Sequence, residues 1–152
     1  MKVGDLAPDF SLKDHNGNSV KLSEIKEKRV LLSFHPLAWT EVCAKQMQSL
    51  ESNREAFDSL STIALGVSVD SVPCKKAWAN SLDIENTQLL SDFWPHGDVA
   101  SSYDIFREKG GTSERANIIL DEEHRVAFIK VYEISKLPDI NEIIDVLKTL
   151  FD

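Results

Sequence analysis

Short apolar runs rich in β-branched residues alternate along this chain with segments of helical periodicity. The runs cover residues 30–34, 62–69 and 89–90, and helix-like stretches follow the first two, over residues 40–60 and 73–82. Adjacent parallel strands require crossover connections of this kind, whereas antiparallel strands can be joined by a tight turn. The alternation therefore predicts an α/β fold, with a βαβαβ unit at the centre of a mixed sheet flanked by helices.

Two further pairs of strands are predicted around this unit. Residues 10–12 and 19–22 alternate in period two about Asn16 and Gly17, which predicts an N-terminal β-hairpin that packs outside the main sheet. Residues 116–120 and 126–131 predict an antiparallel pair, and an amphipathic helix follows Pro138. No repeat or linker interrupts the pattern, so we expect one domain over residues 1–152.

Composition excludes several classes of function. The net charge of −8 disfavours nucleic acid and anionic membranes as partners. No apolar run approaches the ~18 residues that span a bilayer, and the first residues lack the layout of a signal peptide, so we expect a cytoplasmic location. Two cysteines and four scattered histidines give neither a disulfide scaffold nor a zinc pattern. We therefore expect no metal and no organic cofactor.

Cys43 is the candidate nucleophile of the chain. It follows the strand at 30–34 and a short loop beginning at Pro36, which places it in the first turn of the next helix, with Thr40 as the predicted N-cap. Backbone N–H groups and the positive end of the helix dipole favour a thiolate at this position. The neighbouring residues thus favour a reactive cysteine over an inert core residue.

The spacing of Pro36, Thr40 and Cys43 resembles the Pro-x-x-x-Thr/Ser-x-x-Cys motif of the peroxiredoxins, which are thiol peroxidases with a thioredoxin fold. Residues 3–12, 66–70 and 90–92 are similar to the family's first residues and to its second and third core strands. Residues 91–97 are similar to the one-cysteine alkyl hydroperoxide reductase E group. The resemblance covers nearly the whole chain, and it implies a thioredoxin-like fold and a thiol-dependent peroxidase.

The resemblance implies a role for each residue of the motif. Cys43 matches the peroxidatic cysteine, which attacks the peroxide and becomes a sulfenic acid. Thr40 matches the residue that bonds both thiolate and peroxide, and Pro36 matches the proline that shields the sulfur. Gln46 falls where the family places a residue that orients the loop.

The resemblance also implies an arginine far from the motif in sequence. Arg115 matches this residue, which stabilises the thiolate and polarises the O–O bond as negative charge moves to the leaving oxygen. Arg107 and Arg125 compete with it for the role, and a surface salt bridge is the alternative for Arg115 itself.

Three further side chains are candidates for the wall of the pocket. His35 replaces the aromatic residue that relatives often carry before the proline, and it either tunes the pocket or fills space. Trp39 and Trp94 either exclude water from the sulfur or are ordinary core and surface aromatics.

Cys74 decides which catalytic cycle is open. It is a candidate resolving cysteine near the start of the following helix, and a disulfide with Cys43 requires one helical turn to unwind. Otherwise an external thiol donor, such as thioredoxin, a glutaredoxin-like protein or a small thiol, must reduce the sulfenic acid. The resemblance also implies a homodimer.

Two other functions remain open from sequence. Cys43 with His35 forms the nucleophile and base of a cysteine hydrolase, although nothing in the sequence orients the histidine. Alternatively, oxidation of Cys43 switches a redox sensor or regulatory binding protein. A dithiol oxidoreductase is disfavoured because Cys43 has no Cys-x-x-Cys partner.

Overall fold

The computed structural model describes residues 1–150, and Phe151 and Asp152, which end the predicted domain, lie outside the described residues. The strands are β1 (Ser11–Asp14), β2 (Ser19–Lys21), β3 (Arg29–Phe34), β4 (Thr62–Ser68), β5 (Gln88–Ser91), β6 (Phe106–Arg107), β7 (Thr112–Ser113), β8 (Arg115–Leu120) and β9 (Val126–Tyr132). The helices are α1 (Glu41–Ser52), α2 (Arg54–Ser59), α3 (Val72–Ser81), α4 (Asp98–Ser102) and α5 (Ile140–Thr149). A 3-10 turn over Leu22–Glu24 follows β2.

The centre of the fold is the predicted βαβαβ unit. Strands β3, β4 and β5 are parallel neighbours, joined by α1 with α2 and then by α3. All six residues of β3 are buried, as its continuous apolar character predicts for a strand covered on both faces. The helix predicted over residues 40–60 is instead two helices, which meet at Asn53.

The predicted N-terminal hairpin exists, but its predicted position outside the main sheet is wrong. Strand β1 pairs antiparallel with β5, with Lys13 opposite Ser91, so the hairpin extends the sheet to the order β2-β1-β5-β4-β3-β8-β9. The outer edge of β5 carries backbone N–H and C=O groups that need hydrogen-bond partners. The alternating pattern of β1 predicts a strand but does not indicate which edge of the sheet that strand pairs with.

The other edge of the sheet follows the sequence. Strand β8 pairs antiparallel with β3, and β9 pairs antiparallel with β8. Strand β3 therefore lies between β4 and β8, which places the carboxyl end of β3 beside the first residue of β8, Arg115. A small separate sheet of β6 and β7 precedes β8.

Two apolar clusters lie on the two faces of the sheet. One contains buried residues of α1, α3 and α5, and the other contains residues of α4 and of the N-terminal segment. Helix α1 lies so close to β4 that a Cβ added at Gly66 would overlap the sulfur of Met47. Among residues 1–150, no helix is both long enough and apolar enough to span a bilayer.

Candidate active site

Cys43 lies at the carboxyl end of β3, in the first turn of α1. It is the third residue of that helix, and only 1% of its surface is exposed. The connecting loop begins with His35 and Pro36, both buried, and contains Trp39, whose φ of 66° is in the left-handed region. Backbone conformations of this kind are costly for a tryptophan and cluster at functional sites. The loop thus delivers Cys43 into a buried position directly after the sheet.

The guanidinium of Arg115 contacts the sulfur of Cys43. Its Nη1 donates to Sγ at 3.3 Å and to Oε1 of Gln46 at 2.8 Å. Its Nε and Nη2 donate to the carbonyl oxygen of Ile134 at 3.0 and 2.7 Å. This fork fixes the plane of the guanidinium, so the cation is held in place before any substrate arrives.

Gln46 connects this arginine to the sheet. It lies one helical turn after Cys43 and is buried on the same face of α1. Its Nε2 donates to Ser33 Oγ at 2.8 Å and to the carbonyl oxygen of Phe34 at 3.1 Å. The amide therefore uses its nitrogen on β3 and its oxygen on Arg115, which fixes the orientation of both α1 and the arginine.

The charge of Arg115 requires a counter-ion. The side chain is buried, with 3% of the residue exposed, and no carboxylate within residues 1–150 forms a salt bridge with it. A buried charge without an opposite charge is strongly unfavourable. The sulfur of Cys43, 3.3 Å from Nη1, is placed to compensate that charge when it is anionic.

The other arginines considered from sequence are engaged elsewhere. Arg107 forms a 3.8 Å salt bridge with Glu114, and Arg125 donates to the carbonyl oxygen of Gly4 at 3.1 Å. Of these three arginines, Arg115 is the one that hydrogen-bonds to Cys43.

Thr40 is at the predicted N-cap position of α1, but its side chain makes no capping hydrogen bond. Its hydroxyl instead donates to the carbonyl oxygen of Leu37 at 2.7 Å. Thr40 is exposed, whereas Pro36, in the same loop, is buried. The hydroxyl oxygen therefore keeps its lone pairs available at the surface of the loop.

Cys74 occupies the matching position in the next βα unit. It is the third residue of α3, its N–H is capped by Ser71 Oγ at 3.4 Å, and it is a free thiol, as is Cys43. Its Sγ lies 3.9 Å from Oδ1 of Asp70, and the side chain of Trp39 also hydrogen-bonds to it. Burial, with the Asp70 carboxylate as the next cause, raises the pKa of the Cys74 thiol.

The two tryptophans considered for the pocket wall are largely exposed. Trp39 is 58% exposed and lies against Cys74. Trp94 is 81% exposed and lines shallow cavities next to β1, with Phe93 and Val72 in one of them. The structure thus brings Trp39 next to a cysteine and leaves Trp94 at the surface.

A buried polar network behind the loop was not found from sequence. Lys75 is fully buried, and its Nζ lies 2.7 Å from Ser68 Oγ and 3.2 Å from Nε2 of His35. Ser68 Oγ donates to Oδ2 of Asp70 at 2.6 Å. That carboxylate oxygen also accepts a hydrogen bond from the N–H of Ala38, in the loop, at 2.8 Å. The network therefore runs from α3 to the active-site loop.

Burial governs the electrostatics of this network. It lowers the pKa of Lys75 to about 7, and with the charges of Lys75 and Arg115 it holds the pKa of His35 well below its ordinary value. One signal in the sequence points to Lys75, because its helical spacing to Trp78 and Ala79 places it on the apolar face of α3. Within residues 1–150 no cluster of His, Cys, Asp and Glu has the composition of a metal site.

Comparison with known proteins agrees with this geometry. The model of the AhpC/TSA family matches residues 3–129. Alkyl hydroperoxide reductase E of Mycobacterium bovis is 35% identical over 140 residues, which are 91% of each chain. The mitochondrial thioredoxin-dependent peroxide reductase of Drosophila melanogaster is 30% identical over 160 residues, covering 99% of this chain and 66% of that one.

A solved structure gives the same result for the fold. The reduced 2-Cys peroxiredoxin of Plasmodium vivax superposes with a TM-score of 0.90 and 26% identity, over 99% of this chain and 82% of that one. The predicted thioredoxin-like fold is therefore confirmed. The match over most of the sequence and of the fold shows that this chain belongs to the AhpC/TSA family of peroxiredoxins, which are thiol-dependent peroxidases.

Proposed function

We propose that this chain reduces hydrogen peroxide and organic hydroperoxides with Cys43 as the peroxidatic cysteine. The observation that carries the proposal is the 3.3 Å contact between Arg115 Nη1 and Cys43 Sγ, inside a site where the arginine has its other donors fixed on the backbone and on Gln46. A cysteine paired with a permanent cation is a nucleophile at neutral pH.

The reaction transfers one oxygen to the sulfur. The thiolate attacks the terminal oxygen of the peroxide, an S–O bond forms, the O–O bond breaks, and the leaving oxygen takes up a proton to become water or an alcohol. Arg115 stabilises the negative charge that develops on the leaving oxygen. No cofactor takes part in this step, because the peroxide itself is the oxidant.

Pro36 and Thr40 complete the proposed site. The buried Pro36 shields one side of the sulfur from water. The Thr40 hydroxyl already donates to Leu37, so its oxygen is free to accept the O–H of an arriving peroxide. Thr40 thereby orients the peroxide so that its terminal oxygen faces Cys43.

An external thiol donor completes the cycle by reducing the sulfenic acid. The Cys74 thiol is a poor nucleophile in this conformation, because burial and the carboxylate of Asp70 raise its pKa. The similarity to a thioredoxin-dependent peroxide reductase supports a thioredoxin-type protein as the donor. Cys74 becomes a resolving cysteine in this proposal only if the first turn of a helix unwinds.

We place the protein in the cytoplasm as a homodimer. The exposed apolar side chains support self-association, since Leu37, Trp39, Phe93 and Trp94 are all at least 43% exposed. Light scattering on Trp94→Ser and on the wild type tests the dimer, and a mass of 17.1 kDa for the wild-type protein in solution would contradict it.

The first experiment follows the sulfur itself. Reduced protein is mixed with one equivalent of hydrogen peroxide in the presence of dimedone, and its intact mass is measured, with Cys43→Ser and Cys74→Ser as matched variants. We expect a dimedone adduct in wild type and Cys74→Ser but not in Cys43→Ser. Loss of two hydrogens without an adduct would instead show a disulfide between the two cysteines. No change in mass at Cys43 would refute the proposed peroxidase activity.

A second experiment separates an enzyme from a sensor. Peroxide consumption is followed with thioredoxin and thioredoxin reductase as the electron source. We expect many equivalents of peroxide to be consumed per chain. Consumption of a single equivalent with each thiol donor tested would favour the sensor over the enzyme.

A further inference from the structure

Lys75 is a lysine without exposed surface, on a helix where Lys76, Asn80 and Ser81 are all exposed. Fully buried lysines are rare and are normally paired with a carboxylate. For Lys75, no carboxylate in the described part of the chain is at salt-bridge distance. Its Nζ is instead bonded to a hydroxyl, that of Ser68, and to an imidazole, that of His35.

The number of available protons decides which atom donates. The Ser68 hydroxyl has one proton and places it on Asp70 at 2.6 Å, so Lys75 must donate to Ser68 Oγ. A charged Lys75 has a second proton to donate to Nε2 of His35. A neutral Lys75 can instead accept the proton of Nε2, so the contact keeps a hydrogen bond after one proton has left.

The surroundings favour one shared proton over two. His35 is fully buried, its ring lies 5.0 Å from that of Trp78, and its Nδ1 has no hydrogen-bond partner within residues 1–150. A second proton on this pair would bury two adjacent positive charges. Lys75 and His35 therefore titrate as one unit, here called the Lys75–His35 pair.

Charged and titratable groups face this pair from each neighbouring element. The groups that favour its proton are Asp70 after β4, Cys43 on α1, Cys74 on α3 and Asp92 after β5, while Arg115 on β8 opposes it. Among these, the charge of Cys43 changes during the peroxidase reaction, because the thiolate becomes a neutral sulfenic acid.

We propose that the Lys75–His35 pair is a positioning pair for Cys43, in which the buried proton and the thiolate stabilise each other. This inference rests on the proposed function. It adds a second cation at the same end of β3 as the sulfur, because His35 directly follows that strand and holds Lys75 at 3.2 Å. Unlike Arg115, this cation can lose its charge.

The coupling assigns a proton to the chemical step. When the sulfur gains its oxygen and loses its negative charge, the proton of the pair loses one of the negative charges that favour it. The pair then holds its proton less strongly, and the leaving alkoxide or hydroxide is the base that takes a proton up in the same step. Coupling of this kind is reciprocal. The thiolate stabilises the proton of the pair by the same free energy by which that proton stabilises the thiolate.

The closing experiment measures Lys75 directly. The Nζ and Cε signals of lysine are followed by NMR between pH 5 and 10 in reduced protein, and the Lys75 signal is assigned by its loss in Lys75→Met. Because burial lowers the pKa of Lys75 to about 7, we expect its transition near neutral pH. In Cys43→Ser, which lacks the thiolate, we expect the transition to move down by about one pH unit.

The exposed Lys45 on α1 is the internal control, since its signal should not respond to Cys43→Ser. A Lys75 transition that is the same in wild type and Cys43→Ser would overturn the inference, as would a Lys75 that stays charged to pH 10. Neither readout depends on turnover. An active peroxidase in which the Lys75 transition does not respond to Cys43 therefore refutes the role of the Lys75–His35 pair and leaves the proposed function intact. An inactive protein in the peroxide assay refutes the proposed function instead.

A kinetic measurement distinguishes the charge of Lys75 from its bulk. We expect Lys75→Met to react with peroxide about tenfold more slowly than wild type at pH 6, and the ratio to approach one by pH 9, where the wild-type pair is neutral. Lys75→Arg keeps the charge and should hold the wild-type rate at pH 6. A ratio that is equal at pH 6 and pH 9 would show a purely structural role and would contradict the proposal.

Discussion

The two cysteines occupy equivalent places in two successive βα units, yet their surroundings are opposite. Cys43 is the third residue of α1 after β3, and Cys74 is the third residue of α3 after β4. The first has a guanidinium at 3.3 Å, and the second has a carboxylate oxygen at 3.9 Å. The comparison teaches that two cysteines at equivalent helix starts are distinguished by the side-chain charge beside each, and that charge changes the stability of a thiolate.

The largest effect is expected from removing the cation beside Cys43. Arg115→Gln should lower the rate constant for hydrogen peroxide by about 100-fold or more, since it takes away a fixed donor that stabilises developing charge. Stopped-flow tryptophan fluorescence or competition with a reporter peroxidase measures it. Arg125→Gln is the matched control on the surface and should react like wild type, and equal losses in both variants would break the assignment of Arg115.

A smaller effect is expected from removing the anion beside Cys74. In a Cys43→Ser background, Asp70→Asn should make alkylation of Cys74 by iodoacetamide about three- to tenfold faster at pH 7.5, because a carboxylate that raises the pKa of the thiol is replaced by a neutral amide. Asp58→Asn, on the exposed surface of α2, is the control. An unchanged alkylation rate would mean that burial alone keeps Cys74 unreactive.

The smallest effect concerns the caps of the two helices. Ser71 caps α3 through the N–H of Cys74, whereas the Thr40 side chain does not cap α1. Ser71→Ala should therefore lower the free energy of unfolding by about 1 kcal/mol, and Thr40→Ala should lower it less. Urea denaturation of both variants checks the order, and the reverse order would show that Thr40 contributes more through Leu37 than a cap does.

Much of the fold follows from local pattern. The apolar runs predict β3, β4, β5, β8 and β9, and helical spacing predicts α3 and α5 within a few residues of their bounds, whereas the helix predicted over residues 40–60 is divided into α1 and α2. The pattern fails where pairing is not local. The hairpin was expected outside the sheet but pairs with β5, because the choice of edge depends on which backbone groups the rest of the chain leaves unpaired.

The candidate site divides in the same way. The motif around Cys43 lies within eight consecutive residues, so its spacing alone supports a nucleophile at a helix start. Arg115 is 72 positions away and was indicated by family resemblance, since no local pattern connects it to the sulfur. The sequence around Lys75 indicates a cation on the apolar face of a helix, but its two partners, His35 and Ser68, lie on two other segments.

The sequence by itself determined the strands of the main sheet, the order of the βαβαβ unit and the position of Cys43 at a helix start. These depend on residues that are neighbours along the chain. The tertiary structure alone decided which charge lies beside each cysteine, and that Lys75 and His35 meet behind the loop. Those contacts depend on sheet order and helix packing, where a buried charge interacts strongly with groups a few ångströms away that are distant in sequence.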